Sequence, residues 1–222
     1  EEKRRIEFGK TLFERRKRKG LTEFEAIQLM RERNYFGAML VDQGIADAMI
    51  TGLTRSYSSV LKPVLQVIGL EKDVNVASGM YILNTKRGPI FLADTTVNIN
   101  PNAEQIAEIT FNIAKVIQNF KVIPKIALLG YSNFGSSPGE DSVKMSKAVS
   151  MLHEKHPTLL VDGEMQANFA LNSELMNEKF PFSHLANQEV NTLVFPNLTS
   201  GNITYKTLQQ MMDVDAIGPI LV

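Results

Sequence analysis

Cysteine is absent from all 222 residues, which excludes a disulfide framework, thiol catalysis and metal sites built on thiolates. Net charge is absent too. The 24 acidic residues balance 24 Lys and Arg, so no global pull toward nucleic acid or anionic lipid exists, and neither is expected as a partner. Apolar runs break within about ten residues, short of the roughly 20 that a membrane-crossing helix needs, and no charged-then-apolar signal segment opens the chain. A cytoplasmic location is the expectation. The chain has no opening Met and stops on the apolar run at 217–222, so it reads as a piece of a longer protein whose partner elements lie in other sequence.

What is present is a composition ordinary for a soluble globular protein, 44% hydrophobic and 22% charged, with length for one large domain or two small ones. The stretch at 88–120 organises the rest. Ile90, Phe91 and Leu92 are continuous apolar residues suited to a strand covered on both faces, and Asp94, Thr95, Thr96 and Asn98 follow at its end. Asn102 and Gln105 have capping-box spacing, after which Ile106, Ile109, Ile113, Val116, Ile117 and Phe120 repeat at helical spacing as a core face.

Upstream, residues 1–19 predict a helix that closes on the basic run at 15–19 before Gly20. By itself that run reads as a solvated last turn. Thr22 and Glu25 form a second capping box. The apolar runs at 36–41 and 47–52 predict two short buried strands around the turn Asp42-Gln43-Gly44. A helix follows with Pro63 in its first turn and Gly69 as its stop, then a hairpin turning at 85–88. Downstream the pattern alternates: a strand at 125–130, a helix at about 141–155, a strand at 158–163, a helical segment, a strand at 191–197, a helix and a terminal strand. This rhythm predicts a three-layer α/β/α fold, with a sheet made mixed by the hairpin.

Four polar, small-residue loops follow apolar strands, at 93–98, 131–137, 162–168 and 195–202. If the four strands are parallel neighbours, the loops meet at one carboxyl edge, where α/β proteins bind ligands. Singly each is weak: Asp94 suits a loop cap as well as a ligand, and Asp162-Gly163 is a turn dipeptide. The loop at 131–137 lacks the lysine of a Walker loop and the spacing of a dinucleotide fingerprint. His153, His156 and His184 read as surface residues, no catalytic triad is legible, and Lys206 defaults to a solvated lysine.

Taken in order, the segments RRKRKG, ADAMITG, SVLKPVLQVIG, LADTTVNINP, LLGYSNFGS, VDGEMQAN and FPNLTSGNITYK resemble the phosphate acetyltransferase/butyryltransferase family across nearly the whole chain. Within it, the segments at 34–57, 80–98 and 131–136 are most similar to the C-terminal phosphotransacetylase-like domain of bacterial NADP-dependent malic enzymes. Stand-alone transacetylases usually carry FADCAVN where this chain has LADTTVN.

The resemblance implies a phosphotransacetylase-like, isocitrate/isopropylmalate-dehydrogenase-like architecture of two subdomains with a cleft. It divides the chain into an incomplete first subdomain at 1–68, a second at 69–214, and a strand at 215–222 returning to the first. The cleft would bind acetyl-CoA or acetyl phosphate through Arg16, Lys62, Asp94, Thr95, Thr96, Asn98, Ser132, Asn133, Gly135, Ser136, Asp162, Glu164, Gln166, Asn197, Gly201, Asn202 and Lys206. Arg16 matches an arginine associated with the CoA phosphates, which lifts it above the solvated reading of its run. Lys62 stands where the family has a second arginine, and so lacks the bidentate fork. The family's catalytic Ser-Arg-Gly segment and downstream Asp would lie past residue 222, so no catalytic residue and no metal site are expected within the chain. The implied function is a regulatory acetyl-CoA-binding domain, at least dimeric, of an NADP-dependent malic enzyme that oxidatively decarboxylates malate to pyruvate. NADP and a divalent Mg or Mn ion would belong to that enzyme's other half. The alternative is a phosphate acetyltransferase whose catalytic segment lies outside the chain.

Overall fold

The computed structural model describes residues 2–212 and 214–222. They divide into two compact units meeting at Val74/Asn75. The boundary expected at 68/69 therefore lies several residues later.

The first unit is helical: α1 (Glu2–Arg16), α2 (Glu23–Leu29), α3 (Arg33–Asp42) and α4 (Tyr57–Val67). Gly20 ends the basic turn after α1 in the left-handed conformation, φ 83°, which a glycine adopts without a Cβ clash. The Thr22–Glu25 box closes as expected, with the Glu25 N–H on Thr22 Oγ1 at 3.3 Å and the Thr22 N–H on Glu25 Oε2 at 2.9 Å. Both strands expected in this unit are absent. The run at 36–41 belongs to α3, whose buried residues Asn34, Tyr35, Ala38 and Met39 recur with helical rather than alternating period. The run at 47–52 is irregular and solvated, with Ile50 fully exposed. Pro63 lies inside α4 beyond its first turn, because the helix already starts at Tyr57. The core gathers Phe8, Leu12, Ala26, Met30, Tyr35, Ala38, Met39 and Val67 from all four helices.

The second unit holds a six-stranded sheet. Its elements are β1 (Gly79–Thr85), β2 (Gly88–Ala93), α5 (Ala103–Asn119), β3 (Lys125–Leu129), α6 (Glu140–Lys155), β4 (Leu160–Met165), α7 (Ala167–Ala170), α8 (Ser173–Lys179), β5 (Thr192–Val194), α9 (Leu198–Met212) and β6 (Asp215–Leu221). The strand order is β4-β3-β5-β2-β1-β6. Strands β4, β3, β5 and β2 run parallel, whereas β1 is antiparallel to both β2 and β6, so the sheet is mixed. β6 closes the edge beside β1, in this same sheet.

Alternation along β3 shows how the layers form. Ile126 and Leu128 pack with Ile106 and Ala107 of α5 and Met145, Ala148 and Leu152 of α6. Ala127 and Leu129 face the other way, toward Ala170 of α7, Met176 of α8 and Tyr205 of α9. A second row on α5, Ile109, Ile113 and Ile117, covers Phe91 of β2 and Met80 and Ile82 of β1. Phe120, expected in that row, sits at the helix end half exposed. Two of the three histidines differ from the surface reading, while His184 is exposed as expected. His153 is half buried with Nε2 2.8 Å from the Val161 carbonyl. His156 stacks on Phe111 at 3.6 Å, where burial and then Lys115 and Lys155 hold its pKa below the usual imidazole range.

Two predictions follow from this packing. Ile113 is fully buried, so Ile113→Ala lowers stability by about 2–5 kcal/mol in urea titration, through lost transfer energy and the cavity left behind. In the first unit, Arg15 grips both Asp42 oxygens at 2.7 and 2.8 Å, and its hydrogen bond holds the Asp42 carboxyl below the usual carboxylate range. A lowered folded pKa stabilises above the unfolded value of about 3.9, and that stabilisation fades as pH falls through the lowered pKa. The urea midpoint of wild type is thus expected to drop more steeply in that acid window than that of Asp42→Asn.

Candidate functional site

The four strands β4, β3, β5 and β2 are adjacent and parallel, so the loops after Met165, Leu129, Val194 and Ala93 emerge at one carboxyl edge. At the end of β2, Asp94 organises its own loop. Its Oδ1 accepts from the N–H groups of Gly79 (3.1 Å), Thr96 (2.9 Å) and Val97 (3.1 Å), and its Oδ2 accepts from the Asn98 N–H (2.7 Å) and side-chain amide. Asp94 is 4% exposed, and these five bonds consume the hydrogen-bonding capacity of its carboxylate. Thr95, fully buried, donates its hydroxyl to the Gly79 carbonyl, while Thr96 Oγ1 is buried without a partner among the described residues. Asn202 of α9 donates to the Thr95 carbonyl at 3.2 Å. Gly201 is where α9 crosses this loop: a Cβ there would stand 2.4 Å from the Asp94 carbonyl oxygen, so only glycine fits.

A second network joins the ends of β3 and β4. Strand β4 runs on to Met165, past the 163 expected, so Asp162, Gly163 and Glu164 are strand residues rather than loop; β3 pairs with Gly163 and Met165 across a register shift. Glu164 Oε1 accepts from the Ser132 hydroxyl (2.8 Å) and the Gly135 N–H (2.7 Å). Ser136 Oγ accepts from the Asn133 N–H, and Asn133 Oδ1 accepts from the Gln166 N–H, whose side chain in turn donates to the Tyr131 carbonyl. Asn197 caps α9 by accepting from the Ser200 N–H at 3.0 Å and donates toward Asp141 of α6 at 3.3 Å, linking the β5 loop to the β3 side. Helix α9 therefore begins at Leu198, earlier than expected.

Three expected residues stand apart. Asp162 lies within β4, where Ser183 and the His184 N–H occupy Oδ2 and the Gly163 N–H occupies Oδ1; it anchors the 183–184 turn. Lys206 is exposed on α9, its ammonium 5.0 Å from the Tyr205 ring. Lys62 is exposed on α4. Arg16 lines a groove of about 530 Å³ in the first unit with Lys19, Phe24, Glu25, Gln28 and Gln66. It forms no ion pair among the described residues, unlike its neighbour Arg15. The basic run thus splits into a structural arginine and one facing a groove.

The reading of single residues missed Ser142 and Ser183. Ser142 Oγ accepts from the Gly139 N–H and donates to the Ser137 carbonyl, sealing the α6 start; its spacing three residues after Gly139 was the available signal. Ser183 had none, since its partner Asp162 lies 21 residues away. Among the described residues no group of three His, Cys, Asp or Glu is placed to hold a metal ion, and no helix is long and apolar enough to cross a membrane.

Fold and edge define an α/β protein whose parallel strand ends carry a preformed lattice of amides and hydroxyls. The family model described as phosphate acetyl/butaryl transferase matches residues 1–222, and the chain belongs to that family. Phosphate acetyltransferase of Treponema pallidum is 38% identical over 99% of the chain and 68% of its own length. NADP-dependent malic enzyme of Haemophilus influenzae is 38% identical over 97% of the chain and 28% of its own length. A solved phosphotransacetylase from Streptococcus pyogenes superposes with a TM-score of 0.89 at 37% identity, covering 97% of the chain and 65% of that protein. The chain spans 28% to 68% of the curated relatives it matches.

Asp94→Asn tests the loop lattice: the amide turns an N–H toward the Asn98 N–H where the carboxylate accepted it. We expect about 1–3 kcal/mol of destabilisation in urea titration from the unpaired donors.

Proposed function

We propose that the chain belongs to a phosphate acetyltransferase, which exchanges the acetyl group of acetyl-CoA between the CoA thiol and inorganic phosphate. The observation that supports this most is the set of four parallel strand ends lined with backbone N–H groups, hydroxyls and amides, in a chain matched by the family model from end to end. A strand edge held in shape by its own hydrogen bonds before a ligand arrives suits acetyl phosphate, because little has to be reordered on binding. In the first unit, the groove at Arg16 has the size of a small-ligand pocket and offers a guanidinium with no ion pair among the described residues, the side chain best matched to a phosphate.

A second reading has its own support. Malic enzymes match 97% of the chain at 37% and 38% identity, about as closely as the transacetylases do. In that reading the same residues sense acetyl-CoA for an oligomeric NADP-dependent malic enzyme, and the NADP and divalent metal serve its other half.

Formation of acetyl phosphate from acetyl-CoA and phosphate by the full-length protein tests the first reading. Arg16→Gln is expected to raise the KM for acetyl-CoA about tenfold with little change in kcat, as loss of uniform ligand binding does. An enzyme that makes no acetyl phosphate, but forms pyruvate from malate and NADP at a rate that responds to acetyl-CoA, supports the second reading instead.

A further inference from the structure

Glu164 is fully buried, yet only half of its carboxylate is used. Oε1 takes the Ser132 hydroxyl and the Gly135 N–H; Oε2 is buried with no hydrogen-bond partner among the described residues. An unpaired carboxylate oxygen is costly to bury and is rarely left so without a purpose. Glu164 also lines a groove of about 390 Å³, with Gly135 and Pro138 beside it and α6 along its length. Ser142, Ser146 and Ser150 recur every four residues on the helix face that borders it, a span of roughly 12 Å at 1.5 Å per residue. A groove of that length accommodates an extended chain better than a compact ion.

The remaining lining narrows the chemistry. The Ser142 hydroxyl is engaged with Ser137 and Gly139, and the Ser150 hydroxyl donates to the Ser146 carbonyl. Lys147 lines the same groove, but its ammonium is paired with Glu104 at 2.7 Å and so does not serve Oε2. What Oε2 lacks is a donor. We propose that Glu164 Oε2 accepts a hydrogen bond from an amide N–H or hydroxyl on an extended ligand arm that lies along the serine face of α6. This inference rests on the acyl-CoA reading for the identity of that ligand, whose arm between thiol and nucleotide carries amides and a hydroxyl.

Calorimetric titration of acetyl-CoA and of acetyl phosphate into wild type, Glu164→Gln and Ser146→Leu tests it. Gln keeps an oxygen for Ser132 and Gly135 but puts an N–H where Oε2 accepted; Leu at exposed Ser146 fills the groove without touching the carboxylate. Both variants are expected to bind acetyl-CoA at least about tenfold more weakly, with acetyl phosphate binding unchanged. Unchanged acetyl-CoA affinity in either variant overturns the inference. Equal weakening of both ligands by Glu164→Gln also overturns it, since Glu164 would then act only by holding the 132–137 loop. Should circular dichroism find Glu164→Gln unfolded, Ser146→Leu alone decides. Wild type that binds neither ligand overturns the acyl-CoA reading and this inference together, whereas wild-type binding that survives the variants overturns this inference alone.

Discussion

Where β2 ends, five N–H donors converge on the buried carboxylate of Asp94, four of them from the backbone. A strand that stops in the interior leaves backbone donors away from water, and each must find a partner. Asp94 supplies those partners for residues 96–98 and, through Gly79, ties the start of β1 to the end of β2. Because the loop is thus fixed, α9 can pass close enough that Gly201 touches the Asp94 carbonyl, and Asn202 can reach Thr95. The helical layer on that face of the sheet depends on this loop holding its shape.

The same physics repeats at the ends of β3 and β4, where Glu164 takes the place of Asp94. Ser132, Gly135, Ser136, Asn133 and Gln166 are joined by bonds that cross between the two strand ends. Asn197 connects the β5 loop to α6 through Asp141. The edge is therefore rigid by virtue of its own hydrogen bonds, a property a binding surface needs if ligand donors and acceptors are to be met without ordering cost. Its polar side chains differ in what they have left to offer. Asp94 and Asp162 are used up internally, while Thr96 Oγ1 and Glu164 Oε2 are not.

Elements whose signals are local were legible in the sequence. Both capping boxes, Thr22 with Glu25 and Asn102 with Gln105, close as their three-residue spacing requires, and the isoleucine rows of α5 face the sheet. The hairpin of β1 and β2 pairs Thr85 with Gly88 around two residues, as its turn chemistry implied. The short continuous apolar runs of the first unit were not legible, although those of β2 and β3 were. The run at 36–41 has no polar residue to mark its period, so strand and helix could not be told apart until Ala38 and Met39 found Phe8 and Leu12 beside them. The length of β4 was misjudged because Gly163 reads as a turn residue, and only its pairing with Leu128 keeps it in the strand.

The sequence by itself determined the alternation of strands and helices downstream of residue 79, the capped starts of α2 and α5, the family to which the chain belongs, and the four polar loops that follow apolar strands. Capping, turn chemistry and periodicity act over a few residues, so they are written where they operate. Tertiary structure alone decided that β6 closes the same sheet, that Arg15 is spent on Asp42 while Arg16 is not, and that Glu164 rather than Asp162 serves the edge. Those outcomes depend on partners 27 residues apart for Arg15 and Asp42, 32 for Ser132 and Glu164, and 21 for Asp162 and Ser183. Such distances are closed by strand order and helix packing, and no residue pattern along the chain encodes which donor will meet which acceptor.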